Sequence, residues 1–284
     1  MKKMTPVQKK RIHTYVRAGI QLLFFILLPS AFTTAFAGVK YIFTRLGVRE
    51  PIEMNSFVLI LCVLLAYTIM FGRFFCGYAC AFGSLGDAVR AVYLWICKKR
   101  KKKPLAWKES WSNVLVYLKY MILFAIILLC FLGKYSTVRG SSPWDVFSML
   151  IAGNFKLGAY GIGTLLLLVI VIGMACCERF FCRFCCPMGA VFALMPVLPA
   201  CSLQRTREEC VKGCSGCKRV CPSDLDLPEA GTPDISGECF QCGKCMHVCP
   251  KQNVRHGVIP KKLELFFTLI RTALLAALLV WAGV

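Results

Sequence analysis

Five long apolar stretches, nearly free of charge, constrain this 284-residue chain more than any other feature. They fall at about residues 17–39, 55–71, 113–133, 157–177 and 263–284. Each approaches the roughly 20 residues a helix needs to cross the hydrocarbon of a bilayer. In that solvent every backbone amide needs a partner inside the protein, and stretches of this length satisfy the demand as helices. Pro29 lies inside the first stretch and predicts a kink there. That stretch is too long for the apolar part of a cleavable signal and lacks a small-residue cleavage site, so it reads as a retained span.

Composition agrees with a membrane reading. The chain is 57% hydrophobic and carries a formal net charge of +21, a pairing rare in a soluble protein. The basic residues are unevenly placed. Lys2, Lys3, Lys9, Lys10, Arg11 and Arg17 crowd the N-terminal tail, and Lys98, Lys99, Arg100, Lys101, Lys102 and Lys103 crowd the link after the second stretch. The loops after the first and third stretches hold fewer: Lys40, Arg45 and Arg49, then Lys134 and Arg139. The positive-inside rule therefore puts the N-terminus in the cytoplasm and the C-terminus outside, in the cell (inner) membrane. The same residues serve as topology signals and contacts to anionic lipid, so nucleic acid is not an expected partner.

Nineteen cysteines accompany these stretches. Cys239, Cys242, Cys245 and Cys249, followed by Pro250, have the C-x2-C-x2-C-x3-C-P spacing of bacterial ferredoxins. Upstream, Cys210, Cys214, Cys217, Cys221 and Pro222 form a near copy, whose first gap is one residue longer than the standard. In two-cluster modules the fourth cysteine of each run ligates the other run's cluster. The expected ligand sets for two 4Fe–4S clusters are thus Cys210, Cys214, Cys217 with Cys249, and Cys239, Cys242, Cys245 with Cys221. Zinc knuckles also use cysteine pairs, but do not call for two such quartets with a trailing proline. This segment, about 201–262, is rich in Gly and Pro and suits a small fold held by its clusters on the cytoplasmic side.

A second pattern occurs twice. Arg73, Phe74, Phe75, Cys76, Cys80 and Gly83 match Arg179, Phe180, Phe181, Cys182, Cys186 and Gly189 as R-F-F-C-x3-C-x2-G. Each copy follows a pair of apolar stretches, so the first four spans read as two parallel two-helix repeats. The C-x3-C spacing sets two sulfurs on one helix face. One pair cannot fill a tetrahedral site, but two can. Cys76, Cys80, Cys182 and Cys186 are therefore expected to converge on one shared metal or iron–sulfur centre at the inner membrane surface. Arg73, Arg179 and Arg183 would offset thiolate charge there. The competing reading makes these cysteines small packing residues. Cys62, Cys97, Cys130, Cys176, Cys177, Cys185 and Cys201 carry no such pattern, although Cys185 could compete with its neighbour Cys186.

The remaining signals are smaller. His13, His247 and His256 are the only histidines, and none lies in an apolar stretch, so no haem is expected. His247 sits within the cluster run, where outer-shell contacts are its natural role. Ser142, Pro143 and Asp145 read as a helix start, with Trp144 and Phe147 as interfacial anchors or a surface for a quinone headgroup. Arg271 interrupts the last stretch, either as a functional charge or as a snorkelling one. Glu264 is expected to be solvated.

The fold expectation is mainly α: a polytopic membrane bundle of two parallel two-helix repeats and a fifth span, with a cytoplasmic two-cluster module. Its parts are residues 1–97 and 113–200 for the repeats, 98–112 for a basic link, 201–262 for the module and 263–284 for the last span. Twin C-x3-C motifs after paired spans, joined to a two-cluster run, resemble the NapH/NosR/CcoG-type membrane ferredoxins. Cys182 to Pro187 keeps the family's C-x3-C-P, whereas Ala81 replaces the proline in the first copy. The resemblance implies an electron-transfer subunit, possessing quinol dehydrogenase character in some relatives, that links a cytoplasmic donor or the quinone pool to an extracytoplasmic flavoprotein or reductase. Two further readings use the same wiring: an assembly factor that reduces a metal ion, and a redox-sensing regulatory protein. No acid–base or nucleophilic catalytic set is present to name.

Overall fold

The computed structural model describes residues 6–105, 114–138, 141–155, 160–231, 237–257, 259–260 and 263–283. The end of the basic link (106–112), the expected span starts at 113 and 157–159, Arg139, residues 261–262 and residue 284 lie outside the described residues. The first apolar stretch is not one helix. It is divided between α1 (Pro6–Leu27) and α2 (Ala31–Gly47), which meet at a bend of 62°. Pro29 sits in the break, where its ring and missing N–H prevent continuation. The expected kink is thus a full interruption, and helix extends beyond the apolar stretch at both ends.

The second stretch forms α3 (Ser56–Phe71), capped by Asn55, whose side chain accepts from the Val58 N–H at 3.0 Å. It ends at Gly72, whose positive φ of 66° admits glycine readily. A π turn (Phe75–Ala79) follows, then α4 (Ala81–Lys99), with Lys98 and Lys99 favourably placed in its last turn. The third stretch gives α5 (Leu118–Phe131). Next comes α6 (Pro143–Ile151), with Ser142 at the cap position, Pro143 in the first turn and Asp145 beside it, as expected. Then α7 (Gly161–Cys176), a second π turn (Phe181–Cys185) and α8 (Pro187–Leu194) complete the helical body. The chain continues into β1 (Leu203–Arg205), α9 (Gly216–Arg219), β2 (Val254–His256) and finally α10 (Glu264–Trp281). The two strands pair antiparallel, with Leu203 opposite His256.

Among the described residues, α10 alone is long and apolar enough to cross a membrane, or two such units if α1 and α2 count as one bent span. At 14 to 16 residues, α3, α5 and α7 reach only about 21–24 Å, short of a hydrocarbon core of about 30 Å. The helices pack with α2 on α3 and α5, α4 on α1 and α7, α5 on α8, α6 on α7, and α10 on α3.

Aromatic rings fill the centre. Phe82 stacks on Phe181 at 4.3 Å, and Phe147 lies 3.9 Å from Phe82. Trp144 meets Phe36 edge-on. Trp144 and Phe147 are therefore buried core residues, not interfacial anchors or a quinone surface. Their helix dips inward because its apolar face finds α7.

Candidate functional site

Both R-F-F-C-x3-C segments end their preceding helix in the same way. The Cys80 N–H donates to the Phe75 carbonyl and the Cys186 N–H to the Phe181 carbonyl, each at 2.9 Å. These five-residue spacings make π turns, which often mark functional sites. Cys80 and Cys186 then stand at the N-cap positions of α4 and α8. The Cys186 sulfur accepts from the Gly189 N–H at 3.1 Å. A helix N-terminus and a donated N–H both favour a thiolate.

All four thiols, Cys76, Cys80, Cys182 and Cys186, are buried, and the structure brings them within electrostatic reach of one another. Burial pushes the Cys182 thiol up to about 11, with the Cys76 thiolate adding to the shift and Arg179 opposing it. Cys80 and Cys186 are held well above the ordinary thiol value by burial and then by their cysteine neighbours. Four such thiols cannot all ionise without a cation among them. Cys186 is buried with the other three thiols, whereas its neighbour Cys185 is half-buried.

The two motif arginines cross between copies. Arg73 donates to the Cys182 carbonyl at 3.3 Å, and Arg179 donates to the Cys76 carbonyl. Each is held by a carboxylate. Asp87 takes Arg179 at 2.6 Å, Arg17 at 2.7 Å and Gln21 at 2.6 Å. Glu238 takes Arg73 at 2.8 Å, Tyr120 at 2.8 Å and the fully buried Lys119. Burial opposes both carboxylates, yet Arg179 and Arg17 hold Asp87, and Arg73 and Lys119 hold Glu238, below their ordinary values. Arg179 adopts a left-handed φ of 58°, a strain its carboxylate clamp sustains. A Cβ at Gly83 would collide with Arg179 Nη1, so glycine is needed where the guanidinium crosses. Arg183 departs from expectation: it donates to the Pro222 carbonyl and approaches Asp224 at 3.9 Å, tying the motif to the module instead of to the four thiols.

In the module, one small hollow is lined by Cys210, Cys214, Cys217 and Cys249. Another is lined by Cys221, Cys239, Cys242 and Cys245, together with Cys217. The longer first gap therefore does not exclude Cys210, whose sulfur receives Asn253 Nδ2 at 3.4 Å. Arg205 donates to the Cys217 sulfur at 3.4 Å. Burial pushes Cys239 up to about 12, and burial with its cysteine neighbours holds Cys245 well above the ordinary thiol value. Among the described residues no three His, Cys, Asp or Glu side chains stand close enough for a single metal ion. A tetrahedral zinc site holds sulfurs only about 3.8 Å apart, as Zn–S bonds of about 2.3 Å require.

Phe240 joins the two regions. Its ring lies under Arg73 at 4.6 Å and Arg179 at 5.9 Å, and it belongs to the helical core although it stands between two module cysteines. A Cβ at Gly77 would collide with the Phe240 carbonyl, so the module's backbone rests directly on the first motif. Asp87, Glu238, Lys119, Tyr120 and Phe240 escaped sequence reasoning. One signal was present: Asp87 is the only acid between residues 54 and 108.

His247 faces His13 at 4.3 Å between ring centroids. Arg271 is fully buried, its guanidinium between Phe74 at 4.4 Å and Phe267 at 4.3 Å, so it does not snorkel to water. Its Nε and Nη1 have no hydrogen-bond partner. Glu264 is half-buried and not fully solvated.

The 4Fe-4S binding domain family matches this chain twice, at residues 56–104 and 159–199. Those segments contain the two π turns and the four buried thiols, whereas the module's runs lie outside them. The chain thus carries two matches to a 4Fe-4S binding domain and is similar to ferredoxin-type proteins. It is distantly homologous to the ferredoxin-type protein NapH of Haemophilus influenzae, at 28% identity over 67% of this chain and 64% of NapH. The putative electron transport protein YccM of Escherichia coli is 23% identical over 68% of this chain and 53% of YccM. An uncharacterized protein of Methanocaldococcus jannaschii is 27% identical over 81% of this chain and 82% of its own length. No solved structure matches the chain.

Proposed function

We propose that this protein is a membrane-embedded iron–sulfur conduit with two clusters in its cytoplasmic module and a third centre at Cys76, Cys80, Cys182 and Cys186. The two motif segments are read as parallel repeats that share this centre at their interface. One observation carries the reading: four buried thiols, drawn from the two segments that match the 4Fe-4S binding domain, converge under arginines that bond each other's motif. A 4Fe–4S group supplies reversible one-electron chemistry when bound.

The chain's own groups set its environment. Helix N-termini and the Gly189 amide stabilise thiolate charge, and Arg73 and Arg179 add positive charge in a buried site. Phe240 and the surrounding rings exclude water and hold the module against the motif. Exposed apolar side chains on α1, α7 and α10, among them Leu22, Ile26, Leu165, Val169, Phe266 and Ile270, support contact with lipid. In this reading, electrons move between a cytoplasmic donor or the quinone pool and an extracytoplasmic flavoprotein or reductase.

Iron and acid-labile sulfide per protein, with EPR of the reduced state, test the centre. The Cys76→Ala/Cys182→Ala variant is expected to lose one centre's iron and its signal, while the module's signals remain. Unchanged iron and spectra in that variant would sink the proposal.

A further inference from the structure

A cleft of about 770 Å³ opens between the N-terminal part of α1, the segment after α7 and the module. Six cations line it, Lys10, Arg90, Arg183, Lys218, Arg219 and Lys244, against two carboxylates, Glu178 and Asp224. Lys244 pairs with Glu178, and Arg90 is occupied by the Ala175 and Cys176 carbonyls. Lys10 and Arg219 are exposed at the cleft wall. Arg183 and His247, both in the cleft lining, each carry a buried nitrogen, Nε and Nε2, without a hydrogen-bond partner. An anion would satisfy the field that these groups create.

The cleft has a specific position. Cys221 and Pro222 form part of its wall, so an occupant lies against a cysteine of the module's inner hollow. The neighbouring His13 and His247 rings, 4.3 Å apart between centroids and tilted at 43°, line the same cleft beside the cations and offer aromatic faces for stacking. Its volume falls in the range of small-ligand sites, and its concavity suits a small molecule better than a protein face. A ligand here thus needs phosphate to meet the cations and a planar ring to meet the imidazoles. Exchange with a cluster also demands a ring that accepts electrons singly, which a flavin does and a nicotinamide does not.

We propose that this cleft binds a phosphate-bearing flavin nucleotide beside Cys221. The choice of a flavin and its redox role rest on the reading of Cys221 as a cluster ligand, whereas binding of a phosphate-bearing aromatic ligand does not. The test uses the full-length protein in zwitterionic nanodiscs, with flavin mononucleotide and riboflavin as probes in equilibrium dialysis.

Saturable binding of flavin mononucleotide is expected, at least tenfold tighter than riboflavin. Lys10→Glu/Arg219→Glu is expected to weaken it at least tenfold. Iron content, measured on the same samples, checks that the variant is folded and reports separately on the clusters. Lys10→Gln/Arg219→Gln should fall between. Absence of saturable binding, equal affinity in the charge-reversed protein, or equal affinity for riboflavin would overturn the proposal. So would displacement of the probe by phosphatidylglycerol in the nanodisc, which would make the cleft a lipid-headgroup site.

Discussion

Asp87 shows how much one side chain decides in this protein. It pairs with both Arg179 and Arg17 and thereby fixes the guanidinium that crosses to Cys76. Replacing it by Asn leaves buried cations unmatched, which typically costs about 3–5 kcal/mol. Thermal unfolding of the purified Asp87→Asn protein should show that loss, with reduced iron at the four-thiol site. The pH dependence has a definite sign. Asp87's folded value lies below its ordinary 3.8, so its contribution is present above that value and is lost as pH falls through the folded one. The stability gap between wild type and Asp87→Asn should stay constant from about pH 8 to 5 and close only in stronger acid. Asp87 was marked in the sequence by its isolation, but its partners lie up to 92 residues away. No local pattern names such a pairing.

The repeated elements are equivalent in sequence but not in tightness. A Cβ at Gly83 would collide with Arg179 Nη1, whereas at Gly189 it would stand 3.1 Å from Arg73 Nη2 and 3.0 Å from the Cys182 carbonyl. Gly83→Ala should therefore destabilise more than Gly189→Ala, with overpacking costs of about 1–3 kcal/mol. Parallel denaturation of both variants checks the order. Helix boundaries were legible where polarity changes sharply: the stretch 55–71 became α3 with its Asn55 cap. The π turns were not, because C-x3-C fits one face of an ordinary helix equally well. Nor was the inward course of α6, since Trp144 and Phe147 carry the same signature in a core as at an interface.

For the whole molecule, stability is unevenly distributed. The module's own core is small, comprising Leu203, Leu227, Cys245, Met246 and Val254. Among the described residues its regular structure is two three-residue strands and a four-residue helix. Metal removal by a chelator should unfold it while the helical body keeps its far-ultraviolet signal. Circular dichroism alongside limited proteolysis of residues 201–257 would show this. Phe240→Leu removes the ring between the regions and should slow electron exchange between them without reducing total iron. Rapid-mixing reduction of the purified protein, followed optically, reads that rate.

The seat of Phe240 carries a consequence for how the protein is made. Phe240 and Cys242 pack into the same core as the four thiols, which are almost wholly shielded from solvent. A centre held there has no open route once residues 239–242 have settled on Gly77. Biogenesis must then be sequential: the inner centre is installed while the later part of the chain is still undocked, and the module closes as a stopper. On the proposed reading of three centres, protein stripped of iron and supplied afresh should refill the two outer positions promptly and the inner one last.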